Sequence, residues 1–138
     1  MNLQFLGAAG TVTGSKFHLS DADHSVLVDA GMFQGPRALR ERNWESLPID
    51  VEAIQSVVLT HAHIDHSGYL PKLVREGYRG PIYCSGATRD LCEILLRDSA
   101  YISERDAERA NRYRYTKHTP AKPLYTVADA EAAIVQLE

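Results

Sequence analysis

Short apolar runs alternate with longer amphipathic stretches along this chain. Runs rich in β-branched and aromatic residues predict five short strands, at 2–6, 16–19, 25–28, 57–60 and 81–84. Helical spacing of apolar positions predicts helices at 36–42, 70–76, 87–113 and 128–137. Because strands alternate with helices, the pattern predicts an α/β layered fold.

Local signals refine the ends of these elements. Pro71 and Gly77 are typical of the beginning and the end of a helix. Thr126 followed by Asp129 resembles a capping box, and we expect the last helix to continue from there to the end of the chain. The glycine-rich segment 7–15 is suited to a loop that runs close over a neighbouring surface.

Two features predict burial. The unbroken apolar runs at 26–28 and 57–59 are typical of strands that are covered on both faces of a sheet. In the longest predicted helix, Asp98 shares a helical face with Leu91 and Leu95, which predicts a buried ion pair with Arg105. A supporting role for Asp98 beside a metal site is the alternative.

Composition narrows the class of protein. The chain has 138 residues, of which 44% are apolar and 24% charged, which is enough for one domain with a core. It contains no apolar run of membrane-spanning length and no secretory signal pattern. Cys84 and Cys92 are expected to be free thiols, which favours a cytoplasmic location. The net charge of −3 excludes a whole-chain basic field for nucleic acid, so such binding would need a local patch.

The strongest chemical signal is a cluster of histidines and an aspartate after the fourth predicted strand. His61 and His63 alternate along extended backbone, so their side chains can converge on one ion. If the chain then turns, Asp65 and His66 can face a second ion. Imidazole and carboxylate ligands suit Zn²⁺, with Mn²⁺ and Fe²⁺ as rivals. Two adjacent ions can activate water and support a phosphoester displacement.

These residues also carry a family resemblance. The segment THAHIDHSG at 60–68 resembles the signature motif of the metallo-β-lactamase fold. The segments GAAGTVTGS at 7–15, LVDAGMFQG at 27–35 and SGATRDLCEILLRDS at 85–99 resemble the β-CASP ribonuclease branch of that superfamily. The resemblance implies half of a four-layer αββα sandwich, with a mixed sheet flanked by helices. It implies metal-dependent cleavage of RNA with two zinc ions.

The resemblance also assigns roles to individual residues. It implies that His61 and His63 bind one ion, that Asp65 and His66 bind the other, and that Asp65 and His66 take part in catalysis. Asp29 matches an aspartate that orients the histidine loop. The family also needs a third histidine and a bridging aspartate, and no later residue of this chain has that context. We therefore expect residues 1–138 to be a truncated, N-terminal part of the metallo-β-lactamase domain, without a β-CASP insertion and inactive alone.

A basic and aromatic segment at 109–117 is a candidate RNA contact. Its alternating residues Arg112, Tyr113, Arg114 and Tyr115 suit a phosphate backbone with stacked bases. A solvated helix end, where cations are favoured, is the alternative interpretation.

The function predicted for the complete protein is a zinc ribonuclease of RNA processing or decay. The alternatives are a small-molecule metallo-hydrolase of the thioesterase or lactonase type and a non-catalytic scaffold subunit of a nuclease complex. We expect RNA and not a membrane as the partner. We also expect residues 1–138 to form a homodimer through apolar surface that the missing half of the fold would cover.

Overall fold

A five-stranded mixed sheet organises the structure, which is a computed structural model that describes residues 1–116 and 118–138. The strands are β1 (Asn2–Phe5), β2 (Phe17–Ser20), β3 (Ser25–Val28), β4 (Ser56–Val58) and β5 (Ile82–Tyr83). They lie in the order in which they occur along the chain. The first three form an antiparallel meander, and β3, β4 and β5 are parallel. The predicted α/β class and the mixed sheet are confirmed.

Five helices accompany the sheet. They are α1 (Arg37–Glu41), which a 3₁₀ turn at Arg42–Trp44 extends, α2 (Ile64–Ser67), α3 (Leu70–Arg75), α4 (Gly86–Tyr113) and α5 (Val127–Ile134). The one-turn helix α2 was not predicted, because four residues are too few to show a helical period. In the described part of the chain, no helix is long and apolar enough to cross a membrane.

The core lies between one face of the sheet and the helices. Leu27, Val57 and Ile82 are neighbours in register on β3, β4 and β5, and all three are fully buried. They belong to one apolar cluster together with residues of α3, α4 and α5. Parallel strands need covered crossovers, so the helices pack where the parallel half of the sheet requires them.

The opposite face of the sheet is open within the described residues. Leu3 and Phe5 on β1, Val58 on β4 and Tyr83 on β5 are 40–57% exposed. The register places all four on the face opposite to Leu27. This is the exposed apolar surface that the sequence predicts for residues 1–138, in which the helices cover one face of the sheet. In the run at 26–28 only Leu27 is buried, whereas in the run at 57–59 Val57 and Leu59 are buried and Val58 is exposed.

The last helix is shorter than predicted. It ends at Ile134, and residues 136–138 instead pair with β5 through hydrogen bonds to Ile82 and Cys84 and a parallel bridge between Ile82 and Leu137. Ile134 and Leu137 are both buried, and their spacing of three residues imitates a helical face. The spacing alone does not distinguish a helix from a turn followed by a bridge.

The prediction of a buried Asp98 is also wrong. The buried side of α4 is formed by a row of mostly small residues, which are Thr88, Cys92, Leu96, Ala100, Ala107 and Ala110. Asp98 is exposed, and the ion pair of Arg105 is with Glu108. Small side chains allow α4 and α5 to approach closely, whereas Leu91, Ile94 and Ile102 remain exposed.

Candidate metal centre

The histidine cluster and Asp29 meet at one edge of the sheet. Asp29 follows the last residue of β3, and the cluster begins three residues after the end of β4. Because β3 and β4 are parallel neighbours, their carboxyl ends lie at the same edge. In α/β sheets this edge is where ligands commonly bind. The topology alone therefore brings together residues that are more than thirty positions apart.

The four predicted ligands form two adjacent pairs. His61 Nε2 lies 3.2 Å from His63 Nδ1, and the two rings meet edge to face. His66 Nε2 lies 3.6 Å from a carboxylate oxygen of Asp65. The ring centroids of His61 and His66 are 4.0 Å apart, so the two pairs are neighbours. The short helix α2 provides the turn that separates the first pair from the second.

Asp29 connects the cluster to the rest of the sheet edge. Its carboxylate is 2% exposed and accepts a 2.8 Å hydrogen bond from the backbone N–H of Thr60. The same carboxylate lies 2.7 Å from Nδ1 of His66 and accepts a bond from the Ser15 hydroxyl at 3.2 Å. Its backbone has a φ of 58°, in the left-handed region, which Asp tolerates better than most residues. One buried carboxylate thus fixes three separate segments.

These contacts determine which ring nitrogens face the cluster. An ionised carboxylate only accepts hydrogen bonds, so His66 donates from Nδ1 to Asp29, and its Nε2 keeps a free lone pair. The Thr60 hydroxyl lies 3.0 Å from both Asp29 oxygens and 3.0 Å from Nδ1 of His61. Because this hydroxyl donates its proton to Asp29, it accepts from His61 Nδ1, so that His61 Nε2 carries a lone pair that faces His63 Nδ1. Hydrogen bonds of this kind are typical around metal-binding histidines.

A close backbone contact holds the turn of the cluster in place. A side chain at Gly31 would begin 1.6 Å from the Asp65 carbonyl oxygen, so only glycine fits there. Ala30 donates to the His66 carbonyl, and the end of the glycine-rich segment, Ser15, donates to the Asp65 carbonyl. The segments that surround Asp29 and the glycine-rich segment therefore support the backbone that carries Asp65 and His66.

The arrangement fits divalent metal ions. Two ligands on a tetrahedral ion with bonds of about 2.0–2.1 Å are separated by roughly 3.3 Å, close to the distance between the paired nitrogens of His61 and His63. Free lone pairs on His61 and His66 also suit a cation. Within residues 1–116 and 118–138, no three His, Cys, Asp or Glu side chains converge to enclose one ion. Each pair is therefore half of a ligand set.

The other candidate residues lie elsewhere. Cys92 packs against Ser67, and burial raises the pKa of its thiol to about 11, so it is protonated at neutral pH. Arg112 and Tyr113 are at the far end of α4, about 30 Å along the helix axis from Cys92 at 1.5 Å per residue. Arg114 and Tyr115 follow them in an exposed turn, and Lys117 lies outside the described residues.

Sequence reasoning missed the roles of Ser15 and Thr60 in this network. Thr60 belongs to the THAHIDHSG segment, but the sequence does not show that its hydroxyl reaches the carboxylate of Asp29, 31 residues earlier. A hydroxyl directly before the first histidine of such a cluster is the available signal. Ser15 offers no comparable signal.

Comparisons with known proteins identify the family of this chain. The model of the metallo-beta-lactamase superfamily matches residues 18–128. The chain is 46% identical to ribonuclease TTHA0252 of Thermus thermophilus over 104 residues. This alignment covers 75% of the chain and 24% of that protein. Over 108 residues the chain is 33% identical to transcription termination factor FttA of Methanocaldococcus jannaschii, covering 78% of the chain and 17% of that protein. The chain thus spans a quarter or less of the length of these relatives.

Solved structures show the same fold. A metallo-beta-lactamase of Cronobacter sakazakii with a HARLDQ motif matches 68% of this chain with a TM-score of 0.50 and 21% identity. The match covers 32% of that structure.

Proposed function

Because the chain belongs to the metallo-beta-lactamase superfamily, we propose that the complete protein is a metal-dependent hydrolase that cleaves phosphodiester bonds in RNA. One observation carries this proposal: two pairs of potential metal ligands lie side by side at one edge of the sheet. Hydrogen bonds to Asp29 and Thr60 orient the rings of His66 and His61 in these pairs. Similarity to a ribonuclease and to a transcription termination factor supports RNA as the substrate.

The ligand set fits two zinc ions, and Mn²⁺ is the alternative. His61 and His63 would hold one ion, and Asp65 and His66 would hold the other and take part in catalysis. When bound, such a pair of ions activates water and offsets the charge that develops on a phosphodiester. Asp29 keeps His66 in the tautomer that binds metal, and Gly31 and Ser15 position the backbone of Asp65. The remaining ligands and the general acid would come from the rest of the domain.

The proposal is tested by removing ligands from the complete protein. His63→Ala and Asp65→Ala should each lower the rate of RNA degradation by at least about 10²-fold, while the circular dichroism spectrum is unchanged. His24→Ala and Asp23→Ala are matched controls, because both residues lie in the exposed turn between β2 and β3. Wild-type degradation rates in either ligand variant would contradict the proposal. Hydrolysis of a thioester or a lactone instead of RNA would identify the small-molecule alternative.

Metal affinity provides a second test. Residues 1–138 alone supply two ligands for each ion, so we expect at most weakly bound divalent metal and little nuclease activity after dialysis. Elemental analysis measures the retained metal. One or more tightly held zinc ions per chain, together with RNA cleavage, would show that the two half-sites are complete without further residues.

We further propose that Arg112, Tyr113, Arg114 and Tyr115 contact RNA at a distance from the metal centre. The Arg112 guanidinium lies 5.7 Å from the Tyr113 ring centroid, and both tyrosines are more than 60% exposed. Arg112→Gln with Arg114→Gln should weaken RNA binding by the complete protein and flatten its salt dependence, because fewer counterions are released. An unchanged salt slope would favour the solvated helix end.

The remaining proposals concern the setting of the chain. We propose that residues 1–138 form the N-terminal part of a larger metallo-β-lactamase domain, in a cytoplasmic protein that acts on RNA. The sheet has an open apolar face, which supports both proposals. Further residues would cover this face in the complete protein, and a second copy would cover it when residues 1–138 are isolated.

A further inference from the structure

A pocket of about 270 Å³ lies beside the glycine-rich segment, and none of the four proposed metal ligands lines it. Its wall combines two cations with three aromatic rings. The residues that the argument uses are Phe5, Lys16, Phe33, Arg42, Glu45 and Tyr69.

Lys16 lies at the base of this pocket. It is 1% exposed, and its amine is 4.4 Å from the ring centroid of Phe33 and 4.8 Å from that of Tyr69. Within the described residues its one hydrogen bond is to the Gly14 carbonyl, at 3.4 Å. An ammonium group has three donors, so this amine is underused for a buried cation.

Arg42 adds a second positive charge to the same wall. Its guanidinium is 4.2 Å from the Phe33 ring centroid, and it has no ion pair within residues 1–116 and 118–138. Burial, and then the charges of Arg42 and Lys72, lower the pKa of Lys16 to about 7. The nearby carboxylate of Glu76 is bound to Lys72 at 2.6 Å. The Glu45 carboxylate also lines the wall, so the lining carries two cations and one carboxylate. Within the described residues, neither Lys16 nor Arg42 forms an ion pair with it.

Two of the three segments that resemble the ribonuclease branch, at 7–15 and 27–35, shape this pocket. Phe33, from the FQG motif, is fixed by Asn43, which bonds both its backbone N–H and its carbonyl at 2.8 Å. A side chain at Gly14 would begin 2.4 Å from the Phe33 ring. The ring between the two cations is thus held by both the glycine-rich segment and the 3₁₀ turn.

We propose that this pocket binds a nucleoside monophosphate unit, with Lys16 and Arg42 as donors to the phosphate oxygens. A phosphate would give both cations the charge-assisted hydrogen bonds that they lack. Phe5 lines the rim of the pocket and extends its aromatic wall. The volume is at the lower end of small-molecule pockets, about 300 Å³, and leaves room beyond a phosphate alone. The anion follows from the cations, whereas the nucleotide rests on the proposed RNA substrate.

Calorimetric titration of the 138-residue chain with AMP, in the presence of EDTA, tests the proposal without any dependence on nuclease activity. AMP should bind at least about tenfold more tightly than adenosine or inorganic phosphate. Lys16→Met and Arg42→Gln should each weaken AMP binding by about tenfold or more. Arg40→Gln is the matched control, because Arg40 is exposed and does not line the pocket. Competition by a 5′-phosphorylated oligoribonucleotide would identify an RNA end as the source of the phosphate, and its absence a free nucleotide.

The thermal stability of the unliganded variants separates a binding lysine from a structural one. Lys16→Met removes a desolvated amine and keeps the length of the side chain, so the melting temperature should rise while AMP binding is weakened. A lower melting temperature for this variant, AMP affinity that is unchanged in both pocket variants, or no AMP binding at millimolar concentration would each overturn the proposal.

Discussion

At the scale of single residues, Asp29 connects the metal centre to the segments that support it. Its carboxylate contacts Ser15, Thr60 and His66, which lie on three separate segments. A buried carboxylate is stable only when it is hydrogen-bonded, and here each partner is also part of the metal centre or of its support. Asp29 therefore couples the stability of the sheet edge to the orientation of the metal ligands.

Replacement of Asp29 should affect stability and function together. Asp29→Ala leaves the Thr60 N–H without its acceptor and puts alanine at a φ of 58°, so the free energy of unfolding should fall by about 2–4 kcal/mol. Urea denaturation measures this change. Asp29→Asn is the matched control, since it keeps the shape, an acceptor oxygen and tolerance of this backbone region. An equal loss in both variants would show that the charge, and not the hydrogen bonds, is decisive.

The lowered pKa of Lys16 makes stability depend on pH. The amine has a pKa of about 7 in the folded chain and 10.5 as its ordinary value, so between these values the unfolded chain binds more protons. The free energy of unfolding should therefore rise with pH in this range, by about 1.5 kcal/mol from pH 7 to 8.5. Lys72, whose pKa is also lowered by burial, adds a contribution of the same sign.

Urea denaturation at a series of pH values checks this slope, and Lys16→Met should flatten it. The range ends at pH 8.5 because burial raises the pKa values of Cys84 and Cys92, which opposes the trend at higher pH. A slope in Lys16→Met equal to that of the wild type would assign the pH dependence to other groups.

The residue chemistry was only partly visible in the sequence. The cluster from His61 to His66 stands out because its spacing is local, and extended backbone followed by a turn is enough to bring the four side chains together. The environment of Lys16 depends on Phe33, Arg42 and Tyr69, which reach it through the tertiary fold. A lysine in a short strand gives no sign of burial.

At the scale of elements, sequence patterns located the strands well and the faces of the longest helix badly. The strands were found because alternation and turn residues are local. In α4 the large apolar residues Leu91, Ile94 and Ile102 are exposed, and the buried side is mainly small residues. A helical period read from the large apolar residues therefore points to the wrong face. The face of α4 that packs against α5 consists mainly of small residues, which let the two helices approach closely.

The beginning of α5 is an element boundary that the sequence predicted and the structure confirms. The Thr126 hydroxyl accepts from the Asp129 N–H, and the Asp129 carboxylate accepts from the Thr126 N–H at 2.8 Å. Thr126→Ala should lower the free energy of unfolding by about 1 kcal/mol, because it leaves an N–H of the first turn without a partner. Thr126→Ser should restore most of that stability, as measured by urea denaturation. Equal losses in both variants would assign the effect to the lost methyl group.

At the scale of the whole molecule, the main feature is the open apolar face of the sheet, which the sequence predicts for residues 1–138. Apolar runs in strands show that residues on both faces are hydrophobic, but they do not show what covers each face. Here the helices cover the face with Leu27, and the face with Leu3 and Phe5 has no cover within the described residues. A contiguous apolar sheet face is typical of a surface that binds a partner.

The isolated 138-residue chain should therefore associate through this face. Light scattering at micromolar concentration should give the mass of a dimer. We expect its interface to bury about 2,000 Å² or more, the range of obligate interfaces. Leu3→Glu should shift the chain to monomers, because a carboxylate at the centre of an apolar contact is costly. Ile94→Glu, on the exposed side of α4, is the matched control and should leave the dimer intact. A stable wild-type monomer would contradict the prediction.

The contacts of Asp29 also determine when the site can form as the chain folds. Its partners lie 14, 31 and 37 residues away, so each contact closes a long loop before it contributes stability. During synthesis, Asp29 leaves the ribosome well before Thr60 and His66, and its carboxylate is hydrated until they arrive. The ligand geometry therefore cannot be established before residue 66 has emerged, and because it rests on non-local hydrogen bonds it should be lost early in partial unfolding. Hydrogen exchange of the Thr60 amide would report the opening of this site directly.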